Sequence, residues 1–139
     1  MSRILIVDDE QSVSQAFQVA LTHVGYDVVV AQDGKSGLEA LKKNGPFDLI
    51  LLDQMMPDMS GNDVLKTIKD DVATKEMKVA MLTNFGHDQM VKDALFTGAT
   101  DYILKYQITP EDLVTKVKSL IGEPTAAKAP AQPAAKPQG

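Results

Sequence analysis

Short apolar runs alternate with segments of helical spacing along most of this 139-residue chain. Each run is too short for a core helix and long enough for a strand buried on both faces. The predicted strands are 4–7, 28–31, 49–52, 78–82 and 101–104. Such alternation favours a parallel sheet with right-handed crossovers and helices on both faces. The sequence therefore predicts an α/β fold, a doubly wound five-stranded parallel sheet with five helices.

Helix boundaries carry signals of their own. Thr109 is predicted to cap the last helix, since proline and two acids follow it. The second helix is predicted to open at Asp33 and Gly34, and the third to begin near Ser60. Gly25 and Gly98 follow apolar stripes and are predicted to close the first and fourth helices. These signals predict where the connections between strands and helices begin and end.

Composition excludes several classes of protein. The chain has no cysteine, which excludes disulfides, thiolate metal sites and cysteine nucleophiles. A formal net charge of −5 argues against direct nucleic-acid binding, because phosphate contacts need a basic surface. The first apolar run is too short for a secretory leader, and no run is long enough to span a bilayer. We therefore expect a cytoplasmic protein without a membrane segment.

The last residues differ in kind from the rest. Residues 1–122 carry the apolar pattern of one domain, whereas residues 123–139 contain alanine, proline and lysine but no bulky apolar side chain. Such a segment cannot bury enough surface to offset its ordering entropy. We expect residues 123–139 to be a disordered tail, or alternatively a linker to an output domain that followed it.

Chemically capable side chains stand at the carboxyl ends of four predicted strands: Asp8 and Asp9, Asp53, Thr83, and Lys105. In a parallel sheet these ends share one edge, where open α/β sheets bind ligands. Three carboxylates in one crevice repel one another unless a cation lies between them, and they suit Mg²⁺. A lysine and a hydroxyl beside them can bind an anion. Together they describe a phosphoryl site, in which a carboxylate can accept the group covalently.

Each of these residues also has a plainer interpretation. The acids can be solvated residues at the start of a helix, Asp53 the polar end of a strand, Thr83 a turn cap and Lys105 a surface charge. His23 and His87 are most simply surface histidines, since no metal-ligand spacing joins them. Only the joint arrival of the acids, the hydroxyl and the lysine at one edge favours the functional interpretation.

Four stretches carry a resemblance to a known family. They are Ile-Leu-Ile-Val-Asp-Asp-Glu (4–10), Leu-Leu-Asp-Gln-Met-Met-Pro-Asp-Met-Ser-Gly (51–61), Met-Leu-Thr-Asn (81–84) and Gly-Ala-Thr-Asp-Tyr-Ile-Leu-Lys (98–105). On these motifs, residues 2–121 resemble the receiver domain of bacterial two-component response regulators, of the single-domain chemotaxis-regulator type. The resemblance implies a flavodoxin-like sheet with strand order 2-1-3-4-5.

The resemblance also implies a role for each residue of the acidic site. Asp53 would accept a phosphoryl group from a histidine kinase or phosphotransfer protein and become an aspartyl phosphate. Asp9, Asp53 and the Met55 carbonyl would bind Mg²⁺ directly, and Asp8 would hold it through water. The domain would be a signalling module and not an enzyme, limited to self-phosphorylation and slow self-dephosphorylation.

Further implied roles concern the switch and the output. Thr83 and Lys105 would engage the phosphoryl oxygens, and Tyr102 would turn inward when Thr83 moves. A downstream target would bind the face formed by the fourth helix, fifth strand and fifth helix. The protein would be a monomer or a phosphorylation-dependent dimer.

Four positions depart from the family pattern or fall where it varies. Tyr106 follows Lys105 where the family usually has a proline, Asn84 replaces a small residue, and Gln54 replaces an apolar one. Phe85 lies two residues after Thr83, where access to the phosphoryl group is tuned. Met55, Met56 and Met59 offer a soft partner surface, of which at least one is expected to be loop packing.

Other functions fit the sequence less well. A phosphatase of the haloacid-dehalogenase type needs an aspartate two residues after its nucleophile, where this chain has Met55. A flavodoxin-like cofactor binder needs a phosphate-cradling loop, where Asp8, Asp9 and Glu10 would repel phosphate. An unphosphorylated interaction module with a receiver-like fold remains as the third alternative.

Overall fold

A five-stranded parallel sheet forms the centre of the computed structural model, which describes residues 2–84 and 89–122. Its strands are β1 (Arg3–Val7), β2 (Asp27–Ala31), β3 (Leu49–Asp53), β4 (Lys78–Thr83) and β5 (Asp101–Leu104). Their order is β2-β1-β3-β4-β5, and all neighbouring pairs are parallel. The predicted topology is confirmed, and each strand boundary lies within one residue of its predicted position.

Five helices cover the two faces of this sheet. They are α1 (Gln11–His23), α2 (Gly34–Asn44), α3 (Gly61–Asp70), α4 (Gln89–Thr97) and α5 (Pro110–Ile121). Apolar residues of α1 and α5 pack with one set of strand side chains, and those of α2, α3 and α4 pack with the opposite set. The central strands β1 and β3 are therefore buried on both faces, as their continuous apolar sequences require.

The helix boundaries follow the predicted signals. Asp33, Ser60 and Thr109 each accept a hydrogen bond from the backbone N–H three residues later and so cap α2, α3 and α5. Gly25 and Gly98 follow α1 and α4 with φ angles of 104° and 127°, which glycine adopts without the steric cost of a Cβ. These caps fix the points at which the chain returns to the sheet.

The strand register aligns the carboxyl ends of the sheet. Asp53 pairs with Leu82 across β3 and β4, and Thr83 pairs with Leu104 across β4 and β5. The residues that end or follow the strands consequently lie at one edge. The register alone thus brings together residues far apart in sequence.

Some predictions lie outside the described residues, among them those on Phe85, His87 and residues 123–139. His23 is exposed, as expected of a surface histidine. Within residues 2–84 and 89–122, the one cis peptide bond is Gly45–Pro46, so Lys105–Tyr106 is trans. The same residues include no helix with both the length and the apolar character needed to cross a bilayer.

Candidate functional site

The predicted site residues meet at the carboxyl edge of the sheet. The Asp8 N–H donates to the Ala31 carbonyl at 3.0 Å, which continues the β1–β2 ladder by one residue. The Lys105 N–H donates to the Thr83 carbonyl at 2.8 Å and likewise extends the β4–β5 pair. With Asp53 at the end of β3 between them, the sheet itself positions the acids, the hydroxyl and the lysine.

Three carboxylates form an acidic pocket at this edge. Asp8, Asp9 and Asp53 each offer an oxygen within 4.8 Å of the others. Asp8 and Asp53 are buried and Asp9 is exposed. Among the described residues, Asp8 Oδ2 is the buried side-chain oxygen without a hydrogen-bond partner. Since buried oxygens normally have a partner, this group fits a hard divalent cation.

Lys105 binds two of these carboxylates and a neighbouring one. Its Nζ donates to Asp8 Oδ1 at 2.9 Å, to Asp53 Oδ2 at 3.2 Å and to Glu10 Oε1 at 2.7 Å. The residue is only 4% exposed, which excludes the interpretation as a surface charge. Lys105 therefore lies within the acidic site, next to Asp8 and Asp53, and its role there stays a prediction.

Burial and charge shift the ionisation of these groups. Burial, followed by the nearby charge of Asp8, raises the pKa of Asp53 to about 7, although Lys105 opposes the shift. Burial lowers the pKa of the Lys105 ammonium, but its bonds to Glu10 and Asp8 and the charge of Asp53 outweigh this effect, so its pKa lies above the ordinary value. The pocket thus holds more negative charge than one lysine balances, and a bound cation would relieve it.

Comparison with known proteins assigns a family to this arrangement. The sequence model of the response regulator receiver domain matches residues 4–118. The chain belongs to this family. Receiver domains are signalling domains that bind Mg²⁺ at an acidic pocket, and Asp8, Asp9 and Asp53 form such a pocket here.

The chain is similar to relatives of different lengths. It is 37% identical over 119 residues to the phosphate regulon transcriptional regulatory protein PhoB of Klebsiella pneumoniae, covering 86% of this chain and 51% of PhoB. It is 32% identical over 121 residues to the chemotaxis protein CheY1 of Helicobacter pylori, covering 86% of this chain and 97% of CheY1. The chain therefore spans about half of the first relative and nearly all of the second.

A solved structure agrees with this fold. The CheY-like receiver domain protein of Methanospirillum hungatei is similar with a TM-score of 0.80 and 32% identity, over 88% of this chain and 94% of that one. This similarity confirms the flavodoxin-like receiver fold that the motifs predicted.

The loop after β3 brings backbone groups of the receiver domain to the pocket. The Met55 N–H donates to Asp53 Oδ1 at 3.3 Å, and the Met55 side chain is 67% exposed. Met56 and Met59 instead pack half-buried against the core, as expected for at least one of the three methionines. At Gly61 the loop passes close to its own beginning after β3. A Cβ at Gly61 would lie 2.7 Å from the Gln54 Cα, which is too close, so this approach requires glycine.

The other residues near the site occupy distinct environments. Gln54 is buried, and its Nε2 donates to Asn62 Oδ1 at 3.4 Å, so its amide contacts α3. Asn84 is exposed immediately after β4. Thr83 is buried at the end of β4, and Tyr102 is half-buried on β5, packed against the core on the face of α2, α3 and α4. The switch role of Thr83 and Tyr102 stays a prediction.

For two residues of the site, the sequence did not predict the contacts that the structure shows. Glu10, the N-cap residue of α1, accepts hydrogen bonds from the Lys105 ammonium and the Tyr106 hydroxyl. Lys105 and then Tyr106 lower the pKa of the Glu10 carboxyl. Two features of the sequence could have indicated this contact. Glu10 is the third acid after β1, and Tyr106 stands where the family usually has a proline, but no periodic pattern relates the two residues.

Asp58 is a third residue that the sequence did not single out. Its carboxylate accepts hydrogen bonds from the Gly34 N–H at 3.0 Å and the Lys35 N–H at 2.9 Å. These bonds join the loop after β3 to the first turn of α2 and satisfy backbone donors there. Bonds from Lys35 and then Gly34 lower the pKa of Asp58.

Asp58→Ala is expected to lower the thermal midpoint at neutral pH, because it removes both of these bonds. The folded-state pKa lies below the unfolded value, so this stabilisation is present above the unfolded pKa and is lost as pH falls through the folded one. Thermal unfolding between pH 7 and pH 3 measures it, with exposed Asp63→Ala as the matched variant. A difference between Asp58→Ala and wild type that is the same at both pH values would contradict the assignment.

Proposed function

We propose that this receiver domain is a phosphorylation-dependent response regulator in a two-component phosphorelay. Asp53 accepts a phosphoryl group from a histidine kinase or phosphotransfer protein. The observation that carries the proposal is that the Asp53 carboxylate belongs to the acidic pocket and also lies 3.2 Å from Lys105 Nζ. A divalent cation and an ammonium next to one carboxylate are what an incoming phosphoryl group requires.

The proposed transfer is a displacement at phosphorus. One Asp53 oxygen forms the new O–P bond while the bond between phosphorus and its donor breaks. The Lys105 ammonium and the Thr83 hydroxyl bind the phosphoryl oxygens. Asp8, Asp9, Asp53 and the Met55 carbonyl would hold Mg²⁺, which when bound neutralises charge on the acids and the phosphoryl group.

The output is proposed to be a change of binding surface. Thr83 moves toward the phosphoryl group and Tyr102 follows, which alters the face formed by α4, β5 and α5. A downstream protein would bind this face, either on a monomer or on a phosphorylation-dependent dimer. The domain itself would not bind nucleic acid. Its similarity to PhoB also supports an alternative, in which it is the receiver part of a longer regulator.

Intact mass spectrometry tests the function directly. The protein is incubated with acetyl phosphate and Mg²⁺, and a parallel sample contains excess EDTA. We expect a gain of roughly 80 Da, the mass of one phosphoryl group, only in the Mg²⁺ sample. If the mass does not increase with acetyl phosphate, nor with extracts that contain histidine kinases, the result would favour the alternative of an unphosphorylated interaction module.

Met55→Asn is expected to shorten the lifetime of the aspartyl phosphate. Hydrolysis needs a water in line with phosphorus, and the exposed Met55 side chain beside Asp53 can exclude water but cannot orient it strongly. Loss of phosphate should be about tenfold faster if ~1.4 kcal/mol of barrier is at stake. The rate is followed by intact mass at saturating Mg²⁺, with exposed Val72→Asn as the control. An equal or slower rate in Met55→Asn would show that Met55 does not gate the water.

A further inference from the structure

The Lys105 ammonium uses its whole hydrogen-bonding capacity on carboxylates. A lysine ammonium has three N–H donors, and Lys105 Nζ contacts Asp8, Asp53 and Glu10 at 2.9, 3.2 and 2.7 Å. The shortest of these contacts is to Glu10, which is not one of the three acids grouped in the pocket. The lysine thus has two partners inside the pocket and one at its edge.

In the proposed function, the two pocket partners of Lys105, Asp8 and Asp53, also have to hold a cation. A cation held by Asp8 and Asp53 repels the ammonium and competes with it for their oxygens. The phosphoryl group then changes the charge and shape of Asp53 as well. Glu10 is not one of the three grouped acids, and its carboxylate lies at the start of α1 with its side chain 40% exposed, so its bond to Lys105 does not use their oxygens.

Tyr106 contacts both members of the remaining pair. Its hydroxyl donates to the same Glu10 oxygen that accepts from Lys105. Its ring centroid lies 5.6 Å from Lys105 Nζ, within the range of a cation–π contact. Tyr106 therefore restrains the Glu10 carboxylate and also contacts the Lys105 ammonium.

We infer that Glu10 and Tyr106 are positioning residues that keep the Lys105 ammonium at the edge of the pocket when a cation occupies Asp8 and Asp53. The inference rests on the proposed function. Glu10 supplies the anchoring charge, and Tyr106 acts only through Glu10 and the lysine. Lys105 then stays within reach of a phosphoryl group on Asp53, which a freely moving lysine side chain would reach only part of the time.

Nuclear magnetic resonance of the lysine ammonium tests this arrangement without any phosphorylation. An ammonium held by carboxylates exchanges protons slowly enough to give a ¹H–¹⁵N signal, and Lys105→Arg identifies that signal by its loss. In the wild type and in the exposed control Glu39→Gln, we expect the signal to persist when Mg²⁺ alone is added. In Glu10→Gln, it should be present without Mg²⁺ and disappear with it. Persistence in Glu10→Gln with Mg²⁺, or loss in the wild type, would overturn the inference.

Phosphorylation rates provide a second, independent readout. With acetyl phosphate and saturating Mg²⁺, Glu10→Gln should be slower by about tenfold and Tyr106→Phe by about threefold. The double variant should be no slower than Glu10→Gln, because residues that act through one contact are not additive. Additive effects, or wild-type rates in Glu10→Gln, would show that the pair does not act through Lys105.

The two readouts separate this inference from the proposed function. If the wild type never gains a phosphoryl group, the proposed function fails, whereas the ammonium signal still reports whether Glu10 anchors Lys105. If the wild type is phosphorylated but the signal and the rates are unchanged in Glu10→Gln, only the positioning role fails.

Discussion

Asp53→Asn is expected to abolish the roughly 80 Da gain produced by acetyl phosphate and Mg²⁺. An amide oxygen is a far poorer nucleophile than a carboxylate, and Asp53 is the pocket acid at the end of the central strand β3, 3.2 Å from Lys105 Nζ. Asparagine has nearly the same shape, so the fold should persist. Because burial and Asp8 make the Asp53 charge costly, the variant should unfold at no lower temperature than the wild type without Mg²⁺.

The control for this variant is an aspartate outside the pocket. Asp63→Asn changes an exposed carboxylate in the first turn of α3 and should leave the mass gain intact. Circular dichroism of both variants checks that their folds are unchanged. A full gain of one phosphoryl group in Asp53→Asn would place the acceptor elsewhere and remove the proposed function of this site.

Lys105→Met is expected to have the largest effect on stability. Without Mg²⁺, the substitution leaves two buried carboxylates and Glu10 without the ammonium that now binds all three. Removing one partner of buried charged contacts costs about 2–3 kcal/mol here, within the usual range for such losses. The free energy of unfolding in urea, measured in EDTA, should fall by that amount.

Magnesium ions should restore much of this loss. A cation that binds the folded state alone stabilises it by mass action, and in Lys105→Met it no longer competes with an ammonium. The Mg²⁺-dependent gain in unfolding free energy should therefore be larger in Lys105→Met than in the wild type. Exposed Lys43→Met should change stability by less than about 0.5 kcal/mol. Wild-type stability of Lys105→Met in EDTA would mean that the lysine does not balance the acids.

Much of this fold could be predicted from residue patterns because the patterns are local. Continuous apolar runs gave the strands to within one residue, and caps such as Asp33 and Thr109 gave the helix starts. The meeting of Asp8, Asp53 and Lys105 could also be predicted, since a parallel sheet brings all strand ends to one edge. That part of the site was predictable from the parallel topology of the sheet and not from any single motif.

Contacts made by side chains in loops could not be predicted in the same way. Tyr106 contacts Glu10 across 96 residues, and Asp58 binds the backbone of α2 across 23 and 24 residues. Such contacts depend on the path of the loop after each strand, for which the sequence has no periodic signal. The absence of proline after Lys105 was likewise uninformative, because the backbone bond to Thr83 and three carboxylates position that lysine.

Lys105 comes far after Asp8 and Asp53 in the sequence, and this order has a consequence for biosynthesis. Lys105 follows Asp53 by 52 residues and Asp8 by 97. A ribosome adding about 5–20 residues per second needs about 3–10 s to reach the lysine after it has made Asp53. Nascent chains in this interval carry Asp8 and Asp53 without their internal cation. Docking of the newly made β5 against β4 therefore brings Lys105 to these acids as it completes the sheet, and any chain released before that strand lacks both.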